Sequence, residues 1–179
     1  MSDMDTLDLL EEEHQSVTEK LALLERAIGW LEEIDQQLEL GTQAVAEMRH
    51  YLADEFRLHV AHEEDVLLPV LEQTPGAPQA LLPELRSEHR ELEDLAVELI
   101  RKVQAFARLR GPWSAARDEL SGVAWRFYRL LDQHKDKEDR EVFPVARRLF
   151  GAAQCEELAR RLDELQAPKR PRERKKQAR

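Results

Sequence analysis

The sequence has 179 residues, a net charge of −10 and one cysteine, Cys155, which excludes an internal disulfide and a zinc site built from thiolates. Charged residues make up 36% of the chain and glycine is scarce, which favours an all-α fold with charged helix surfaces. No apolar run approaches the roughly 20 residues that cross a bilayer, and the acidic N-terminus lacks the apolar region of a signal peptide. We therefore expect a cytoplasmic protein with no membrane partner.

Four amphipathic helices are predicted in chain order, because apolar residues recur every three or four positions in four separate stretches. These stretches cover residues 7–31, 45–70, 82–106 and 120–145. Each apolar stripe contains a histidine, and the second and fourth stripes also contain a glutamate four residues later. The groups so placed are His14, His59 with Glu63, His89, and His134 with Glu138.

The C-terminal part of the chain differs from the rest. A short helix is predicted over residues 152–166, and we expect it to pack on the outside of the bundle formed by residues 1–150. Residues 168–179 carry a net charge of +6, which leaves −16 on the remainder. An acidic body argues against nucleic acid as a partner, so only this tail could contact phosphate or an anionic surface. We predict that the tail is disordered and that residues 151–167 form the accessory helix.

The chain contains an internal repeat of 75 residues. Shifting the second half back by that distance superimposes the stripes without a gap and aligns His14 with His89, His59 with His134, and Glu63 with Glu138. Each half then forms a helical hairpin, and two hairpins that cannot bury their apolar faces alone predict an antiparallel up-and-down four-helix bundle with pseudo-twofold symmetry. The two remaining histidines fall outside this pattern, since His50 aligns with Trp125 and His62 with Lys137.

The position of the hairpin turns predicts which histidines meet. The midpoint between His89 and His134 falls at the helix breaker Gly111-Pro112, so the two side chains should lie at one level of the hairpin. The midpoint between His14 and His59 falls near residues 36–37, slightly ahead of another breaker at residue 41. The repeat favours the aligned arrangement in this hairpin as well.

Six polar groups would then meet in the bundle core, where each unsatisfied group costs roughly 1–3 kcal/mol. Bound cations would remove this cost. Two metal ions that share both carboxylates, with two histidines each and a bridging oxygen from solvent, would use all six groups. Imidazole and carboxylate ligands suit iron, with manganese and zinc as alternatives. The predicted metal ligands are His14, His59, Glu63, His89, His134 and Glu138.

These residues and their spacings resemble the hemerythrin-like, or HHE cation-binding, domain over about residues 5–150. The resemblance implies two iron ions with a bridging oxo or hydroxo group, and a role in binding or sensing dioxygen, nitric oxide or peroxide. Invertebrate oxygen carriers of this family have a histidine where this chain has Glu93, and use an acid at the position of Asp139. The set of four histidines and two glutamates is closer to bacterial proteins linked to iron-sulfur repair under nitrosative stress.

Other functions stay open. The same centre could act as an enzyme on peroxide or ferrous iron, or donate iron for iron-sulfur cluster repair. A third alternative is a metal-free interaction bundle whose basic tail docks on a partner.

Several other residues have two interpretations from sequence alone. Four acids beside the predicted ligands could orient an imidazole, although surface charge is the simpler interpretation: Glu13, Glu64, Glu88 and Asp139. His50 is expected at the surface, and His62 either in solvent or in contact with a ligand. Whether His62 or Asp139 enters the metal shell is open. Pro69 and Pro144 are expected to end or kink their helices.

Overall fold

The structure is a computed structural model that describes residues 6–32, 47–106, 108 and 114–166. Seven α-helices have bounds within these residues: α1 (Thr6–Glu32), α2 (Glu55–His62), α3 (Leu68–Gln73), α4 (Leu82–Phe106), α5 (Ser114–Lys137), α6 (Phe143–Leu149) and α7 (Ala152–Gln166). Two π-helical turns interrupt them, π1 (Glu63–Leu67) and π2 (Glu138–Val142).

These elements form four bundle helices. The first is α1 and the third is α4. The second combines helical residues 47–53 with α2, π1 and α3. It is continuous through Asp54, because the amide of Asp54 donates to the carbonyl of His50 and the amide of Leu58 donates to the carbonyl of Asp54, each at 3.1 Å. The fourth combines α5, π2 and α6.

Helix packing confirms the predicted all-α, four-helix bundle. Helix α5 lies against both α4 and α1, and α1 also contacts α2. Helix α7 packs against α1, π1 and α3, which confirms the additional C-terminal helix. No strand occurs among the described residues, and none of the described helices is long and apolar enough to cross a membrane.

The apolar core has two parts. The larger cluster includes Phe56 and Phe127, whose rings meet edge to face at 5.5 Å, and it fills the bundle between α1, the second helix, α4 and α5. The smaller cluster includes Leu7, Leu10 and Phe143, and α7 contributes Leu158 to it. Because the predicted metal ligands fall in sequence between members of the two clusters, they form a polar layer with apolar packing on either side.

Both π turns lie just before a proline. The amide of Leu68 donates to the carbonyl of Glu63, and the amide of Phe143 donates to that of Glu138, so each bond spans five residues instead of four. A proline lacks the amide hydrogen of a normal helical turn and its ring crowds the carbonyl four residues earlier. A wider turn relieves that crowding, and so the helices continue through Pro69 and Pro144. Of the two alternatives for these prolines, an end or a kink of the helix, the first was wrong.

The carbonyl that a residue with an amide hydrogen in place of Pro69 would normally bond has a side-chain donor instead. The carbonyl of Asp65, four residues ahead of this proline, accepts a hydrogen bond from Arg161 Nη1 at 3.4 Å. Helix α7 therefore helps to satisfy the backbone of π1. The predicted turns near residues 36–41 and at residues 111–112, and the tail 168–179, lie outside the described residues.

Candidate metal centre

The structure brings all six predicted ligands into one buried layer. The side chains come from all four bundle helices, and none of the six residues is more than 5% exposed. His14 lies on α1, His89 on α4, and His59 on α2. His134 is near the end of α5, while the two glutamates begin the π turns. The repeat therefore places equivalent groups at equivalent points of the two hairpins.

Two groups of four ligand atoms can be drawn within this layer, and the atoms of each group lie within 4.8 Å of one another. The two carboxylates belong to both groups. The first group is His14, His59, Glu63 and Glu138, and the second is Glu63, His89, His134 and Glu138. This arrangement can hold two neighbouring metal ions that share the carboxylates.

The imidazoles direct Nε2 toward the carboxylates. His14 Nε2 lies 3.3 Å from Glu63 Oε1 and 3.2 Å from Glu138 Oε2, so this residue of the first hairpin contacts both acids. His89 Nε2 lies 3.1 Å from Glu63 Oε2. The two remaining histidines each contact the glutamate four residues later, with 3.3 Å between His59 Nε2 and Glu63 Oε1. The distance from His134 Nε2 to Glu138 Oε2 is also 3.3 Å.

The carboxylates have oxygen atoms that the protein leaves without a hydrogen bond. Glu63 Oε2 and both oxygens of Glu138 are fully buried and lack such a partner. The nearby imidazole nitrogens lie close to some of them but not in hydrogen-bond geometry. Leaving a buried charged acceptor in this state costs more than the roughly 1–3 kcal/mol of a neutral group. Oxygen and nitrogen donors that converge in this way fit divalent or trivalent cations.

The opposite nitrogen of each imidazole is held by a second carboxylate. Within the hairpins, Glu13 Oε2 accepts from His59 Nδ1 at 3.0 Å, and Glu88 Oε2 accepts from His134 Nδ1 at 2.9 Å. A carboxylate can only accept, so a hydrogen lies on Nδ1, and the Nε2 atom faces the layer, where it can bind a metal ion once it is deprotonated. Surface charge is therefore the wrong interpretation of these two glutamates.

The other two imidazoles receive their carboxylates from the opposite hairpin. Asp139 Oδ1 accepts from His14 Nδ1 at 2.8 Å, and Glu64 Oε1 accepts from His89 Nδ1 at 2.7 Å. These bonds cross between the halves, whereas those of the two glutamates stay within one hairpin. We call these four acids the outer carboxylate layer: Glu13, Glu64, Glu88 and Asp139. Carboxylates in this position orient an imidazole and raise its basicity as a metal ligand.

The charges of the layer favour cations. Burial disfavours protonation of His14, but the carboxylates of Asp139, Glu138 and Glu63 outweigh burial and raise its pKa to about 11. Burial likewise opposes the carboxylates around His89 and His134, whose pKa values rise to about 10 and about 9. Burial alone would raise the pKa of Glu63, yet the surrounding imidazoles lower it well below its ordinary value. Metal ions would take the place of the protons held here.

The two histidines outside the repeat differ from each other. The His50 side chain is 76% exposed and lies 2.9 Å from Asp54 Oδ2, as expected for a surface residue. His62 is only 2% exposed, so solvent exposure was the wrong alternative. Its Nδ1 donates to Glu13 Oε1 at 2.7 Å, which links it to the carboxylate that orients His59. Neither His62 nor Asp139 belongs to the two ligand groups.

Comparison with protein families identifies a matching family model. Residues 5–146 match the model described as the Hemerythrin HHE cation binding domain, and this range contains all six predicted ligands. No curated protein matches the chain significantly.

Proposed function

Because the chain belongs to the hemerythrin HHE cation-binding domain family, we propose that it holds two iron ions and binds or senses a small oxidant. The observation that carries this proposal is the pair of ligand groups that share Glu63 and Glu138. The oxidant is dioxygen, nitric oxide or peroxide. A cytoplasmic location stays a prediction from the sequence.

In this proposal each half of the bundle supplies two imidazoles. His14 and His59 hold one ion, His89 and His134 hold the other, and the two glutamates contribute to both. Nitrogen and oxygen donors of this kind suit iron, as well as manganese and zinc. Bound iron, with a bridging oxo or hydroxo group, would supply reversible ligand binding and electron transfer.

The protein itself orients the ligands and limits access. The outer carboxylate layer holds each Nδ1–H so that each Nε2 faces the shared acids. The ring of Phe143 lies 4.8 Å from that of His14, and the larger apolar cluster covers the opposite side of the layer. The burial of all six proposed ligands supports a diatomic molecule or peroxide as the partner over a larger substrate.

A surface cavity gives one route toward this layer. It has a volume of about 330 Å³, lies between the second and third bundle helices, and is lined in part by Val60, Glu64 and His89. Its lining includes one proposed ligand and the carboxylate that accepts from the Nδ1 atom of that ligand. We propose that a small ligand approaches the layer from this side.

Metal analysis and spectroscopy of the purified protein test the proposal. After expression in iron-replete medium, we expect about two iron ions per chain and an optical spectrum that changes on exposure to air and to nitric oxide. Reversible changes without turnover support binding or sensing. Steady oxygen evolution from peroxide would instead support the enzyme alternative. A metal content well under one ion per chain would refute the proposal in favour of a metal-free interaction bundle.

A further inference from the structure

The repeat aligns His62 with Lys137, and the structure gives these two different residues the same contact. His62 Nδ1 donates to Glu13 Oε1 at 2.7 Å, and Lys137 Nζ donates to Glu88 Oε1. The other oxygen of each glutamate accepts from a metal-facing imidazole, His59 in the first hairpin. The equivalent imidazole in the second hairpin is His134.

His62 and Lys137 differ in the number of hydrogen bonds that each can donate and in the number of acceptors nearby. An imidazole donates one hydrogen from Nδ1, whereas an ammonium group has three hydrogens to donate. Lys137 accordingly has a second acceptor, Glu84 Oε1 at 2.6 Å, and its side chain is 19% exposed. The position equivalent to Glu84 in the first half is Leu9, and the His62 side chain there is only 3% exposed. The first half therefore uses a donor with a single acceptor, and its Nε2 atom is buried without a hydrogen-bond partner.

The outer carboxylate layer shows the same pattern at its two remaining members. Glu64 accepts from Arg86 through the oxygen not used by His89, and Asp139 Oδ2 accepts from Lys135 at 2.6 Å. Every outer carboxylate thus has a basic side chain on its second oxygen. A carboxylate held at both oxygens cannot rotate freely, and its hydrogen bond then fixes the direction of the imidazole.

We propose that His62 and Lys137 are equivalent positioning residues. Each holds the carboxylate that orients one imidazole, Glu13 for His59 and Glu88 for His134, and thereby aims the Nε2 atom at its metal ion. The inference deepens the proposed function and rests on the metal centre described there. It assigns a shared role to two residues that differ in type and in charge.

Two single variants test the role in separate halves of the molecule. His62→Leu removes the donor in the first hairpin, and Lys137→Met removes it in the second, where partial exposure makes the change easier to accommodate. The Nδ1–H signals of the histidines are recorded by ¹⁵N NMR, first in the metal-free protein and then during titration with Zn²⁺, which is diamagnetic.

Each variant is expected to change the histidine signal and the zinc affinity of its own hairpin only. His62→Leu should shift the Nδ1–H signal of His59, speed its exchange with solvent, and weaken one of the two zinc equivalents about tenfold, the lower end of the usual effect of outer-layer partners. Lys137→Met should do the same to His134 and leave His59 unchanged. Unchanged signals and affinities in both variants would overturn the inference.

A double variant that copies two residues of the second hairpin into the first should restore the lost function of His62. The double variant Leu9→Glu with His62→Lys copies Glu84 and Lys137 into the first hairpin, and it should restore the His59 signal and the zinc affinity lost in His62→Leu. If the double variant folds and its lysine ammonium bonds Glu13, but the His59 signal is not restored, the inference would be overturned. If the wild-type protein binds neither zinc nor iron, the proposed function fails, while the metal-free Nδ1–H signals still decide the positioning role.

Discussion

The Nε2 atoms of His89 and His134 lie 2.9 Å apart, although 45 positions separate the two residues in the chain. Their ring centroids are 4.5 Å apart, and each Nδ1 is bonded to a carboxylate of the outer layer. If each ring carries its hydrogen on Nδ1, the lone pairs of the two Nε2 atoms face each other. This contact is favourable only when a cation or a proton lies between the two atoms. A shared proton in the metal-free protein, or a bound metal ion in its place, would stabilise this contact.

Removal of a shared carboxylate should affect both metal ions. Because Glu138 belongs to both ligand groups, we expect Glu138→Ala to reduce the iron content from about two ions per chain to well below one, as both ions use this acid. His134→Ala removes a ligand of only one group and should leave about one ion. Elemental analysis of the folded variants measures this. His50→Ala, at an exposed position, is the control, and unchanged iron in both ligand variants would refute the ligand assignment.

Metal removal should lower the thermal stability of the protein. A ligand present at about 100 times its dissociation constant stabilises the folded state by about 2.7 kcal/mol. For a chain of this size, that corresponds to a melting temperature about 5–11 °C higher. Differential scanning calorimetry before and after chelation should show a decrease of this order. The same chelator should not change the melting temperature of Glu138→Ala, and equal decreases in both proteins would contradict a role for this site.

The metal-free protein should lose stability as the pH rises from neutral. The pKa values of His14, His89 and His134 in the folded state are about 11, 10 and 9, above the ordinary histidine value of 6.5. Raised values mean that protonation stabilises the fold below pH 6.5, and that this contribution disappears as the pH approaches 9–11. The melting temperature of the metal-free protein should fall across that window.

The metal-loaded protein should not show this fall, because the metal ions have replaced the protons. Metal uptake at neutral pH should therefore release protons, which a pH-indicator dye in weak buffer detects. A metal-free protein whose melting temperature stays constant from pH 7 to pH 10 would contradict the charge balance of the layer.

Loss of charge in the outer carboxylate layer should weaken metal binding without removing a ligand. Asp139→Asn keeps an acceptor near His14 Nδ1 but takes away the negative charge that raises the pKa of this histidine. We expect a loss of metal affinity of roughly 10- to 100-fold, measured by competition with a chromophoric chelator. Asp136→Asn is the matched control, since Asp136 pairs with the exposed Arg140. Equal affinities for the two variants would exclude a role of Asp139 in the site.

The bundle and the ligand layer could be predicted because the sequence contains the relevant pattern twice. Helical periodicity places His59 and Glu63 on one helix face, and the repeat shows that the second half keeps this pair as His134 and Glu138. The ring centroids of His14 and His59 are 5.1 Å apart, which confirms the alignment predicted for the first hairpin.

The outer carboxylate layer and the π turns could not be recognised in this way. Glu13 and Glu88 recur in the repeat, yet acids on helix surfaces are common, and only the direction of each imidazole Nδ1 identifies their role. The two alternatives for His62 could not be separated from the sequence, because the repeat preserves a hydrogen-bond donor at that position and not the residue type. The π turns add one residue per helix, a change too small to disturb the apolar periodicity.

Anomalous X-ray diffraction from crystals of the iron-loaded protein would show whether two metal ions share Glu63 and Glu138. Two anomalous peaks are expected in the buried layer, both in contact with these two carboxylates, with His14 and His59 at one peak and His89 and His134 at the other. A single peak, or peaks bound by other side chains, would refute the shared site.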